Sequence, residues 1–129
     1  MDRKTKRLVL IEKICEEGIA NSFVIMLGEK CIGQITICRN KEISYEVFKE
    51  YRNHGYATEA LEEVMKIAFS NGRNPILVID YDNIASTKVA KKAGFSVRFN
   101  QGEWSEWEAT SKKTWINFRF FFESIALYK

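Results

Sequence analysis

The hydrophobic period changes twice between residues 43 and 80, and this constrains the fold more than any other feature of the chain. "ISYEVF", residues 43–48, alternates as an extended strand does. Ala57, Ala60, Leu61, Val64, Met65 and Ala68 then recur at the i, i+3, i+4, i+7 spacing of a helix with one buried stripe, over residues 56–71. Asn71-Gly72 reads as a stop signal, and Pro75 bars continuation. "ILVID", residues 76–80, is a short unbroken apolar run, which suits a strand covered on both faces. Strand, helix and strand in that order predict a βαβ unit with a parallel pair and a right-handed crossover.

Before this unit the pattern is β throughout. "RLVLIE" (7–12), "SFVIML" (22–27) and "CIGQITICR" (31–39) read as strands, with "GEK" and "NKE" as turns. After it, a second helix is expected over residues 84–93. Asp82 or Asn83 caps its start, Lys88, Lys91 and Lys92 suit its negative end, and Gly94 ends it. "FSVRF" follows as a strand. Residues 100–113 are polar except for Trp104 and Trp107, and "TWINFRFFF" (114–122) reads as a last strand. The fold class is therefore α+β: a central mixed sheet, antiparallel at the start and parallel in the middle, flanked by helices. The 129 residues are the size of one domain, taken here as 1–129.

Bulk properties remove several function classes. A net charge of +3 gives no case for nucleic acid. With His54 as the single histidine, a histidine-based metal site is not expected. No apolar run approaches the ~20 residues of a membrane span. No apolar signal region follows the basic opening "MDRKTKRLVLIEK". Cys15, Cys31 and Cys38 are odd in number and lack a CxxC spacing, so they read as reduced thiols in the cytoplasm.

Chemistry is suggested by "EYRNHGYATEAL", residues 50–61, which opens the first helix. It holds Arg52-x-x-Gly55-x-Ala57 at the carboxyl end of a strand, where ligands bind in sheets of this kind. Gly55 and Ala57 keep the backbone approachable, the helix start offers N–H groups to an anion, and Arg52 adds a charge-assisted contact. The same residues also suit a plain turn with a capped helix. His54 is placed to touch a phosphate or water, or to be exposed.

"EISYEVFKEYRNHGYATEAL", followed by "LVIDYDNIASTKVAKKAGFSV", resembles the GNAT acetyltransferase superfamily over about residues 22–99. Asn83-x-x-Ser86 with Lys92-Ala93-Gly94-Phe95 is closest to the branch that includes the ribosomal-protein N-terminal acetyltransferases. The resemblance implies transfer of an acetyl group from acetyl-coenzyme A to an amine. The cofactor would lie in a V-shaped gap between residues 43–48 and 76–80. Its pantetheine would pair with the backbone of Val47, Phe48 and Lys49, and an N–H near Val47 would hold the developing oxyanion. Its pyrophosphate would sit on Arg52, Asn53, His54, Gly55, Tyr56, Ala57 and Thr58, with Asn83 and Ser86 on the opposite wall. Glu42 and Glu46, on one strand face with Ser44, are the candidate bases, though either also suits an exposed edge carboxylate. Many members carry a catalytic tyrosine in the second helix, and Ala90 stands at that position here. Ser86 is then the first candidate acid and Tyr81 the second; Ser86 equally suits a turn serine bonded to backbone.

The resemblance also shows a shortened N-terminal helical region. "KICEEGIANS" replaces two helices that usually wall the acceptor site, so that side is open or closed by a partner subunit. Glu103, Glu106, Glu108, Trp104 and Trp107 could attract a cationic amine, or form a solvated hairpin with its tryptophans tucked in. The acceptor is expected to be a small-molecule or peptide amine, with no nucleic-acid or membrane partner. Phe118, Phe120, Phe121 and Phe122 suggest a homodimer. A non-catalytic acyl-coenzyme A sensor or interaction module is the alternative function.

Overall fold

In a computed structural model, which describes residues 2–14 and 17–110, five strands pair antiparallel in chain order. They are β1 (Arg3–Lys4), β2 (Val9–Lys13), β3 (Ile19–Leu27), β4 (Lys30–Cys38) and β5 (Ile43–Val47). Strand alternation sorts their side chains into two faces. The rows Leu10–Ile25–Gly33–Val47 and Glu12–Phe23–Ile35–Tyr45 lie on one face. Helix α1 (Tyr56–Ser70) buries Ala60, Leu61, Val64 and Met65 in the same core as these rows. Each full burial of a large aliphatic side chain contributes ~1.5–3 kcal/mol. The rows Ile11–Val24–Gln34–Glu46 and Lys13–Ser22–Thr36–Ser44 form the other face, where Gln34, Ser44 and Glu46 are exposed.

After α1 come β6 (Ile76–Asp80), α2 (Ile84–Ala93), β7 (Ser96–Asn100) and β8 (Trp104–Glu108). Both helices and β6 follow the sequence-based bounds to within a residue. The parallel pair is narrower than expected: one isolated bridge, from Glu42 just before β5 to Ile76 of β6, joins them, and the two strands belong to separate sheets. Past that bridge they form a wedge, which is the expected splay.

One expectation is corrected. Residues 104–108 form a strand inserted between β6 and β7, so the second sheet runs β6-β8-β7 and is antiparallel throughout. Trp107 is buried opposite Leu77, and its Nε1 donates to Ser105 Oγ at 2.8 Å. The glutamates that hid this strand are neutralised across it, with Arg98 3.7 Å from Glu106 and 3.2 Å from Glu108. Trp104 is exposed at the strand's start. The expected last strand at 114–122, with Phe118, Phe120, Phe121 and Phe122, lies outside the described residues, as does Cys15.

Only five positions separate β2 from β3, too few for two helices, so the shortened wall is a property of the connection itself. The described cysteines, Cys31 and Cys38, are free thiols. Among the described residues no helix is long and apolar enough to cross a membrane.

The N-terminal arm is tied to α1 through Glu59. Thr5 Oγ1 donates to its carboxylate, and Arg7 donates from both its backbone N–H and its Nε at 2.8 Å. Burial pushes the Glu59 carboxyl up, but these bonds and the Arg7 charge outweigh it and hold it below the usual range. A depressed folded pKa gives stability that is complete above the ordinary carboxylate range and is lost as pH falls through the lower value. Arg7→Ala should therefore destabilise the protein at neutral pH, and the deficit should shrink with acid. Urea midpoints across pH measure this; a deficit that stayed constant would remove Glu59 as the titrating latch.

Candidate functional site

Between the end of β5 and the start of α1 the chain makes a tight anion-ready turn. A 3₁₀ turn at Lys49–Tyr51 is followed by left-handed backbone at Asn53 (φ 66°) and Gly55 (φ 79°). Gly55 is the N-cap of α1 and has no side chain to cap it, so the N–H groups of Tyr56, Ala57 and Thr58 lack intrahelical partners. These residues line a cleft of about 630 Å³, closed on the far side by α2.

The cleft is cationic. Arg52, Lys88 and Lys92 line it, against Glu46 as its one lining carboxylate. Arg52 Nε donates to the Val47 carbonyl at 2.9 Å, which fixes the guanidinium and leaves its terminal amines for a ligand. Lys88 and Lys92, four apart on α2, share a helix face. Arg7 stands behind the loop, its guanidinium 4.5 Å from the Tyr56 ring centroid. His54 packs beside the same ring at 5.5 Å and does not line the cleft.

On α2, Asn83 caps the helix: its Oδ1 accepts from the Ser86 N–H at 3.1 Å. The Ser86 contact to the cap is thus made by its backbone. Its side chain lines the cleft near Tyr45 of β5. Among the described residues, the Tyr45 hydroxyl is buried and has no hydrogen-bond partner. Burial pushes this phenol up; the nearby Ser86 hydroxyl works against that without meeting hydrogen-bond geometry.

Of the two candidate bases, only Glu46 lines the cleft. Glu42 sits in the turn before β5 at the closed end of the wedge, close to Cys38. Burial first, and the Glu42 charge second, push the Cys38 thiol up. Tyr81 lies outside the cleft with 74% of its surface exposed, its N–H donating to the Glu103 carbonyl. Val47 lines the cleft, but Phe48 and Lys49 do not. The Phe48 N–H is committed to the Ile32 carbonyl at 2.7 Å, and its carbonyl accepts from Tyr51. The position of β5 here depends on Gly33, where a Cβ would lie 2.1 Å from the Glu46 carbonyl oxygen.

Tyr45, Tyr51, Lys88 and Lys92 line the cleft but were not singled out for it by sequence. The lysines had a competing explanation as helix-end charges, and Tyr45 is one residue of an alternating strand with no mark of its own. The uncapped helix start, the three cations and the orphaned hydroxyl together fit an elongated polyanion with a polar far end, as acetyl-coenzyme A is.

The sequence model of the acetyltransferase (GNAT) domain family matches residues 3–96. Among curated proteins, none matches the chain. Solved structures are similar in fold. An acetyltransferase from Agrobacterium tumefaciens str. C58 superposes with a TM-score of 0.71 at 20% identity, covering 86% of this chain and 95% of its own. A GnaT-family acetyltransferase from Bordetella pertussis gives 0.69 at 14% identity, covering 85% and 99%. RimL, a ribosomal L7/L12 alpha-N-protein acetyltransferase in complex with coenzyme A, gives 0.60 at 19%, covering 70% and 62%.

Proposed function

Because this chain belongs to the GNAT acetyltransferase family, which draws its acetyl group from acetyl-coenzyme A, we propose that it acetylates a primary amine of a small molecule or peptide by direct attack in a ternary complex. The observation that carries this reading is the cationic cleft at the uncapped start of α1. The N–H groups of Tyr56, Ala57 and Thr58, with Arg52, Lys88 and Lys92, would hold the phosphates. Asn53 and Gly55 shape that turn, and Asn83 and Ser86 form the opposite wall. Backbone near Val47 would receive the acyl oxygen. Acetyl-coenzyme A supplies an acyl group on a thiol leaving group. Glu46 removes a proton from the amine, which otherwise arrives as an unreactive ammonium. Ser86 lines the cofactor side, where its hydroxyl can take part in proton transfer.

The amine would arrive over the sheet face that carries Gln34, Thr36 and Ser44, beside Glu46. Among the described residues the short β2–β3 connection supplies no helical wall on this side, which favours a broad acceptor such as a peptide N-terminus. The reading takes residues 1–129 as one catalytic domain acting in the cytoplasm. It includes a homodimer, supported by the aromatic segment at 115–122 and by Ile11 and Val24 on the open face.

Acetyl-coenzyme A consumption with a panel of small amines and N-terminal peptides tests the reading, on protein whose mass is measured by sedimentation. Transfer to at least one amine is expected. Tight coenzyme A binding with no turnover on any amine would replace it by a non-catalytic binder, and a monomer at high concentration would remove the dimer.

A further inference from the structure

We propose that the Tyr45 hydroxyl is the group that protonates the departing coenzyme A sulfur, with the Ser86 hydroxyl beside it; this rests on the acetyl-transfer reading above. Tyr45 lies on the helix-facing side of β5, two residues before Val47 and between the loop and the closed end of the wedge at Glu42. A ligand with its phosphates on residues 52–58 points its far end, which in coenzyme A is the thiol, toward this part of the cleft.

Three observations converge on Tyr45. Its hydroxyl is buried and unpartnered, a destabilising arrangement that a ligand atom would relieve. The second helix, IASTKVAKKA, contains no tyrosine, so it brings no phenol to the cleft. The remaining phenols of the cleft belong to its phosphate end: Tyr51 closes the 3₁₀ turn, and Tyr56 opens α1 beneath Arg7. Ser86 alone is a weak acid, because an aliphatic hydroxyl holds its proton far more tightly than a phenol. A phenol is protonated at neutral pH, and burial pushes Tyr45 further up, so it is present as a donor.

The step balances as follows. The nitrogen–carbon bond forms as the carbon–sulfur bond breaks, and sulfur keeps that bond's electron pair. The Tyr45 proton moves to sulfur and gives the free thiol. The ammonium gives one proton to Glu46 before attack, and the nitrogen gives a second as the amide forms, which returns through water to the Tyr45 oxygen.

The test uses coenzyme A and an analogue lacking its thiol sulfur, with binding measured by calorimetry. Wild type should prefer coenzyme A by roughly three- to tenfold. Tyr45→Phe should bind both ligands as wild type binds the analogue, and should melt no lower, since it removes only an unpartnered hydroxyl. Its single-turnover acetyl transfer should fall about 10²-fold. Retention of the sulfur preference and of the rate in Tyr45→Phe would overturn the proposal. If that variant does not fold, the wild-type comparison decides: coenzyme A bound with no sulfur preference overturns Tyr45 alone. Wild type that fails to bind coenzyme A at all overturns the acetyl-transfer reading with it.

Discussion

Gly55→Glu should abolish coenzyme A binding, with a loss of at least about 100-fold in affinity. Three effects act in the same direction. Gly55 has φ 79°, and a residue with a Cβ is strained there by ~1–2 kcal/mol. A side chain at this position projects from the N-cap of a helix whose first three N–H groups are otherwise open to a ligand. A carboxylate there also satisfies those N–H groups and offsets the positive end of α1, so the phosphate meets repulsion where it had met attraction. Gly55→Ala separates the effects, because it keeps the strain without the charge, and its loss should be much smaller. Arg7 complicates the picture usefully: a Cβ at Gly55 would come within 3.4 Å of its terminal nitrogen, so the new carboxylate would draw it across the turn. Calorimetry on variants whose circular dichroism matches wild type measures the effect. Unchanged affinity in folded Gly55→Glu would remove residues 52–58 as the phosphate site.

Features governed by local rules were legible in the sequence. The stripe from Ala57 to Ala68, the Asn83 cap and the Gly94 stop fixed both helices, because each depends on neighbours within a turn or two. The wedge was implied by the resemblance, and the single Glu42–Ile76 bridge accounts for it physically. What escaped depends on contacts distant in sequence. The strand at 104–108 is dense in glutamate and reads as solvated until Arg98 is set across from it. Arg7 reaches Gly55 only because Glu59 binds it from the first turn of α1, 52 residues away. Tyr45 shares a strand face with Ile43 and Val47; that its hydroxyl finds no partner among the described residues is a fact of packing alone.

Replacing Glu46 by Gln should lower the acetyl-transfer rate by about 10²-fold or more near neutral pH, while Glu42→Gln stays close to wild type. Spacing alone could not separate the two carboxylates, since i and i+4 share a strand face. The strand, however, begins at Ile43, which leaves Glu42 in the turn, beside Cys38 and outside the cleft. Glu46 is the residue next to Val47 and lines the cleft while standing in the open row with Gln34 and Val24. A base must reach the amine from the acceptor side while the acyl oxygen is held from the cofactor side, and adjacent residues of one strand point to opposite faces. Glu46 and Tyr45 are neighbours on opposite faces of β5: one carboxylate on the open face, one phenol on the helix face. Gln keeps the shape and polarity of Glu and removes only the ability to take the proton, so coenzyme A affinity should be unchanged and the loss should appear in kcat. A fall in coenzyme A affinity of the same size would make Glu46 a binding residue instead. If Glu46→Gln, Glu42→Gln and the double variant all keep full activity, the amine enters already deprotonated, and both carboxylates are surface residues of the sheet.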